Sequence, residues 1–239
     1  MSNEPKHIVS SFEAELKKLR DMMAAMGGLV ERAVADATTA LMDHNPALAT
    51  RVIEHDPKIN ADQHAVEQFA VRLLALRQPV ADDLRQVIQA LKVVTDLERI
   101  GDYAANIAKR SIVINQVAST FALSGLGQMA TLVQQNLKSS IDTVGEASAE
   151  KAIAVWRADQ AVDDLYNTIF RELITYMMED PRNITPCTHL LFIAKNLERI
   201  GDHTTNIAEL TNNAITGENL PDFRPKGDVT SAYIHNVST

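Results

Sequence analysis

Leu-Glu-Arg-Ile-Gly-Asp stands at residues 97–102 and again at 197–202, and each copy goes on, after a short variable stretch, to Asn-Ile-Ala at 106–108 and 206–208. The spacing between copies is 100 residues, Glu98 to Glu198. A phrase this specific, repeated once, requires the two halves of the chain to fold alike. On a helix, residues four apart share a face, so Glu98, Asp102 and Asn106 form a row, as do Glu198, Asp202 and Asn206. Val93, Leu97, Ile100, Ala104, Ile107 and Ala108 form an apolar arc beside the first row. The acids therefore sit at the rim of a buried stripe. Two carboxylates four apart repel by about 0.2–0.5 kcal/mol, and a mid-helix glycine such as Gly101 or Gly201 costs about 1 kcal/mol against alanine. A cation between the carboxylates would cancel the repulsion. The missing side chain would let a helix or a ligand come close.

Helix is what the rest of the chain favours. Only 9 glycines and 8 prolines occur in 239 residues, and Ala, Leu and acidic residues are abundant. From Ile8 to His44 apolar residues recur every three or four positions: Phe12, Leu16, Leu19, Met23, Met26, Val30, Val34 and Leu41. Asn45-Pro46 predicts a stop and a new start, and the second helix runs to Arg77, with Pro57 inside it as an expected kink. A third helix carries the first motif from about Asp82 to Val117, with Asp82 or Asp83 in its first turn. Residues 118–127 read as a link. The plan then repeats: a fourth helix around Met129–Val144, a fifth from Glu150 to Met178, and a sixth from Thr185-Pro186 through the second motif to Asn213. Asp56 aligns with Asp159 and Asn60 with Asp163. The expected fold is all-α, two tandem three-helix bundles over 8–117 and 124–215, with an irregular tail over 216–239.

The formal net charge of −8 and pI near 5.4 argue against a general nucleic-acid binder, which depends on a basic surface. A single cysteine, Cys187, forms no internal disulfide and suits a reducing, cytoplasmic setting. Met1–Arg20 lacks the apolar core of a signal peptide, and no apolar run reaches the roughly 20 residues of a spanning helix. The low aromatic content and amphipathic helices are compatible with a homodimer.

The strongest chemical candidates are Glu98 with Asp102 and Glu198 with Asp202. Carboxylate oxygens suit hard cations, and Asp56 with Asn60, or Asp159 with Asp163, offer further oxygens from an adjacent helix. The plain alternative is a solvated rim of acids paired with Arg99 and Arg199, and the residues alone leave both open. Asp82-Asp83-Leu84-Arg85 reads as helix capping plus an ion pair, or as a contact patch. It is not duplicated, since Asn183 and Ile184 stand where Asp83 and Leu84 do. The histidines lack ligand spacing, and no nucleophile–base arrangement, phosphate-cradling loop or HExxH is present. A carboxylate-bridged metalloenzyme is the rival class, but helical di-metal enzymes usually display a pair of Glu-x-x-His motifs beside the bridging acids, and neither motif copy carries one.

The doubled Glu-Arg-Ile-Gly-Asp-x-x-x-Asn-Ile-Ala, with Gln78-Pro79-Val80-Ala81-Asp82-Asp83-Leu84-Arg85 ahead of the first copy, resembles the PhoU family of phosphate-uptake regulators over roughly residues 8–215. The resemblance implies two side-by-side three-helix bundles. It implies that Glu98, Asp102, Glu198 and Asp202 hold iron, zinc, magnesium or manganese, and that the protein is a non-enzymatic adaptor. Its partners would be the ATPase of the high-affinity phosphate ABC transporter and the sensor histidine kinase of the starvation response, which it would restrain. It would be peripheral to the membrane through those partners only. Asp83 and Arg85 are the expected partner or structural contacts.

Overall fold

The computed structural model describes residues 4–116 and 124–221, with side chains from Phe12 onward. Six long helices follow one another: α1 Glu4–Met42, α2 Pro46–Arg77, α3 Ala81–Ile114, α4 Ser124–Glu146, α5 Ala149–Glu179 and α6 Ile184–Thr216. No strand occurs among the described residues. Each half is a three-helix bundle: α3 packs on α1 and α2, and α6 packs on α4 and α5.

The halves meet through α3 against α6, with α1 touching α4. Side-chain bonds fix the direction of the central pair. Gln89 reaches Thr211, Asp96 reaches His203, and Arg110 reaches His189, so α6 numbers fall as α3 numbers rise. The two helices are antiparallel and cross near Ile100 and Ile200, both fully buried. One continuous apolar cluster includes Val30, Val34, Leu97 and Ile100 from the first half and Leu137, Ile193 and Leu197 from the second. The repeated motif thus lies at the centre of the molecule.

Local signals account for the element ends. Asn45 caps α2, its side chain accepting from the Leu48 N–H, with Pro46 at the first helical position. Gln78 closes α2 in the left-handed region at φ 47°. Ser148 caps α5 by accepting from the Lys151 N–H. Gly217 ends α6 at φ 77°.

Several expectations need correction. Ser124–Gly127 belongs to α4, not to the link: Leu126 and Met129 are buried, and tertiary packing of that stripe outweighs the glycines. Asp82 and Asp83 do lie in the first turn of α3, but Val80 stands at the cap and makes no side-chain capping bond. In the second half the equivalent turn, Pro181–Asn183, is a short 3₁₀ turn capped by Asp180. As expected, α2 continues past Pro57 to Arg77. The expected link at 117–123 and the tail from 222 lie outside the described residues.

Candidate functional site

The motif acids occupy the position that the helical spacing predicts. Glu98 and Glu198 have side chains only 16% and 14% exposed, and Asp102 is 36% exposed. Each row runs beside fully buried Leu97, Ile100 and Ala104, or Leu197, Ile200 and Thr204.

The neighbouring helix brings its own carboxylates to each row. Asp56 of α2 faces the first pair closely enough that burial, then the charge of Asp102, pushes its carboxyl above the ordinary range, against a smaller pull from Lys109. Glu98 is raised by burial first and then by Asp102, with Arg99 opposing and Asp56 and Glu67 adding. In the second half burial raises Glu198; a hydrogen bond from Lys195 pulls the other way, and Asp202 and Asp163 push up again. The α2/α3 face therefore gathers Asp56, Glu67, Glu98 and Asp102. The α5/α6 face gathers Asp163, Glu198 and Asp202.

Asp159 is 3% exposed and lies against the motif glycine. A Cβ on Gly201 would stand 2.7 Å from the Asp159 Oδ1, and one on Gly101 would meet Ile59 Cδ1 at 3.0 Å. The glycines thus permit a close helix approach, filled by a carboxylate in one half and by an aliphatic group in the other.

Cations sit differently on the two faces. Arg99 spans Glu98 and Asp102 at 3.6 and 3.5 Å, long for hydrogen bonds. Arg199 instead lies over the Tyr103 ring across the crossing, 5.7 Å from its centre. Lys195 Nζ donates to Glu198 Oε1 at 2.6 Å. Several buried oxygens have no hydrogen-bond partner: Asp56 Oδ1, Asn60 Oδ1 and Glu198 Oε2. Unpartnered buried oxygens beside raised carboxylates are donors suited to a hard cation. Among the described residues, however, no three His, Cys, Asp or Glu side chains converge tightly enough to ligate an ion as they stand.

Asp83 and Arg85 fall elsewhere, roughly 20 Å along α3 from Glu98. Arg85 pairs with Asp82 on the exposed side of the first turn, and Asp83 is half-buried. Asp82 also lines a cleft of about 480 Å³ with Arg20, Gln86, Gln89, Gly145 and Thr211, which includes none of the motif acids.

Sequence reasoning missed two residues of the faces and one at the crossing. Glu67 lies eleven positions, about three turns, beyond Asp56, a spacing that puts it on the same side of α2. Lys195 is three residues before Glu198, within ordinary ion-pair reach on a helix. Asp96 bonds to His203 at 2.7 Å and to Asn206 at 3.3 Å across the crossing. Nothing in the sequence signals that contact, because it requires the antiparallel register.

The PhoU domain family model matches this chain twice, over residues 23–111 and 126–211. The chain belongs to the PhoU family. A protein named phosphate-specific transport system accessory protein PhoU homolog in Caulobacter vibrioides is 47% identical over 226 residues, covering 94% of this chain and 98% of that one. The protein of the same name in Rhizobium meliloti is 46% identical, covering 94% and 95%. The crystal structure of PhoU from Pseudomonas aeruginosa matches with a TM-score of 0.85 at 42% identity, covering 87% of this chain and all of that one. The phosphate transport system regulatory protein PhoU from Streptococcus pneumoniae matches at 0.82 and 34%, covering 88% and 99%. The PhoU fold accordingly extends over both halves and over the motif that joins them. No helix among the described residues is long and apolar enough to cross a membrane.

Proposed function

We propose that this chain is an accessory protein of a high-affinity phosphate transporter, restraining phosphate uptake and the phosphate-starvation response when phosphate is plentiful. The single observation that carries the reading is the double PhoU domain match spanning both motif copies. The names of the full-length relatives, accessory and regulatory proteins of phosphate transport, support it. They describe helpers rather than catalysts, and the proposal is of a non-enzymatic, cytoplasmic adaptor.

Its partners would be the transporter ATPase and the sensor histidine kinase, and it would act by binding one state of a partner more tightly than another, the only way a bound protein shifts an equilibrium. Exposed apolar side chains around the α2–α3 turn, Leu76, Val80 and Leu84, adjoin the Asp82–Arg85 pair and support that turn as a contact surface. Asp83 and Arg85 belong to it. A homodimer is part of the same proposal.

The acidic faces would hold a hard metal ion, iron, zinc, magnesium or manganese. Asp56, Glu98 and Asp102 would supply the first set and Asp159, Asp163, Glu198 and Asp202 the second. The unpartnered oxygens of Asp56, Asn60 and Glu198 fit such an ion, and a shift of side chains would tighten the set. A bound ion would cross-link α2 to α3 or α5 to α6.

Deleting the gene tests the regulatory reading. Phosphate uptake and starvation-gene expression in phosphate-rich medium are expected to rise, and the wild-type gene is expected to restore both. Unchanged uptake and expression would remove the reading. Co-purification with the ATPase and with the kinase, lost in a D83A/R85A variant, checks the contact surface.

A further inference from the structure

We infer that the cleft between the halves at the α4–α5 turn binds a small organic anion, an apolar body carrying one acidic group. The inference is independent of the acidic faces and of the proposed partners.

The duplication shows what this corner lacks. Asn45 and Ser148 cap α2 and α5 in the same way, each side chain accepting from the backbone N–H three residues on. Counting back from the caps pairs Met42 with Gly145 and His44 with Ala147. His44 and Ala147 share the left-handed backbone, at φ 50° and 51°, so the two turns bend alike. In the first half both side chains are used. Met42 lies along α4, its Cε 3.1 Å from where a Cβ on Gly127 would stand, and His44 Nδ1 lies 2.8 Å from Asn115 Oδ1 at the end of α3. In the second half neither contact can form. An added Cβ on Gly145 meets nothing within 4 Å, alanine replaces the imidazole, and Ile215, 40% exposed, stands where Asn115 does. The turn stays bare, and beside it a cleft of about 480 Å³ remains open.

The cleft has the make-up of a ligand site. Its volume is that of small-molecule pockets, and it lies where such pockets concentrate, at the interface of two packed units. Leu16, Leu19 and Met23 of α1 give it a buried apolar floor. Arg20 stands on its wall, with Nη1 donating to Gln86 Oε1 at 2.9 Å. That bond steadies the guanidinium and leaves most of its N–H groups and all of its charge to a ligand, since no carboxylate among the described residues pairs with it. Asp82, the acid on the cleft wall, is already paired with Arg85. Gln89 donates to Thr211 Oγ1 at 3.1 Å and ties α3 to α6 beside the floor. A greasy floor with one uncompensated guanidinium at its edge selects an apolar monoanion.

The test uses the full chain and anilinonaphthalene sulfonate, an aromatic body with one sulfonate, as the probe. Binding is followed by fluorescence titration and by methionine-methyl NMR, the Met23 signal being assigned with M23L, and thermal melts confirm that each variant is folded. The wild type is expected to bind saturably, with a shift at Met23 and none at Met178, which is 82% exposed and lies outside the cleft. G145M/A147H installs the residues of the first half and is expected to weaken binding at least about tenfold, and R20Q to weaken it about tenfold by removing the charge. A titration that saturates with Met23 unmoved, either variant binding as the wild type does, or no saturable binding by the wild type would overturn the inference.

Discussion

Tyr103 and His203 occupy the same place in the two motif copies, and their rings lie 5.6 Å apart. Equivalent residues that face each other define an approximate twofold axis through the α3–α6 crossing. Duplication has placed each copy of the motif against the other, so one part of each motif serves the contact between halves while Glu98, Asp102, Glu198 and Asp202 serve the outer rim.

Ile100 and Ile200 are both fully buried at this crossing. Truncating either to alanine is expected to cost about 2–5 kcal/mol. Because the axis gives them matching surroundings, I100A and I200A are expected to shift chemical-denaturation midpoints by similar amounts. A large loss from one and a trivial loss from the other would contradict the twofold arrangement.

Asp96 and His203 join the halves through a bond of 2.7 Å, with Asn206 as a second donor to the same carboxylate oxygen. H203A is expected to cost about 1–3 kcal/mol, and D96A combined with H203A less than the sum of the two single losses. A double-mutant cycle on thermal melts measures the coupling. Simple additivity would show that the contact contributes nothing.

Glycines in similar helical settings are expected to respond oppositely to alanine. At Gly28 an added Cβ meets nothing within 4 Å, so G28A is expected to stabilise the chain by about 0.5–1 kcal/mol through helix propensity. At Gly201 the added carbon would press to 2.7 Å on the Asp159 carboxylate, and G201A is expected to be destabilising despite the same propensity gain. Differential scanning calorimetry of the two variants checks the signs.

Glu98 has its carboxyl raised above the ordinary range by burial and by Asp102. Such a group favours folding when protonated, and that contribution is lost as pH rises through the ordinary carboxylate range toward the raised value. In metal-free protein E98Q is therefore expected to melt higher than wild type at about pH 7 and to converge with it near pH 4. Adding Mn²⁺ is expected to stabilise the wild type more than the variant. A variant that melts lower than wild type at pH 7 without metal would show Glu98 to be satisfied as it stands.

Much of this was legible in the residues themselves. The three-to-four spacing of Leu16, Leu19, Met23, Met26 and Val30 named the buried side of α1, and all five are buried. Asn45-Pro46 marked a helix start to the residue, because a capping side chain and a proline at the first position act locally. The acids of the motif were correctly set at the edge of the apolar arc by the four-residue period. What escaped was non-local. Ser124 and Gly125 carry turn chemistry, and only the burial of Leu126 and Met129 against other helices makes them helical. Lys195 and Glu67 stood at readable spacings, but their weight depends on which neighbour lies across the groove. Asp96 meets His203 only because α3 and α6 run in opposite directions.

The crossing of α3 over α6 has a consequence for ancestry. A chain of half this length would form three helices yet leave the α6-facing side of α3 uncovered, with Ile100 at its middle. That strip, greasy and shaped to receive its own duplicate, is hidden most economically by a second molecule of the same kind. A duplicated chain keeps this pairing within one polypeptide, where the two copies need not stay identical, as Thr95 and Lys195 show.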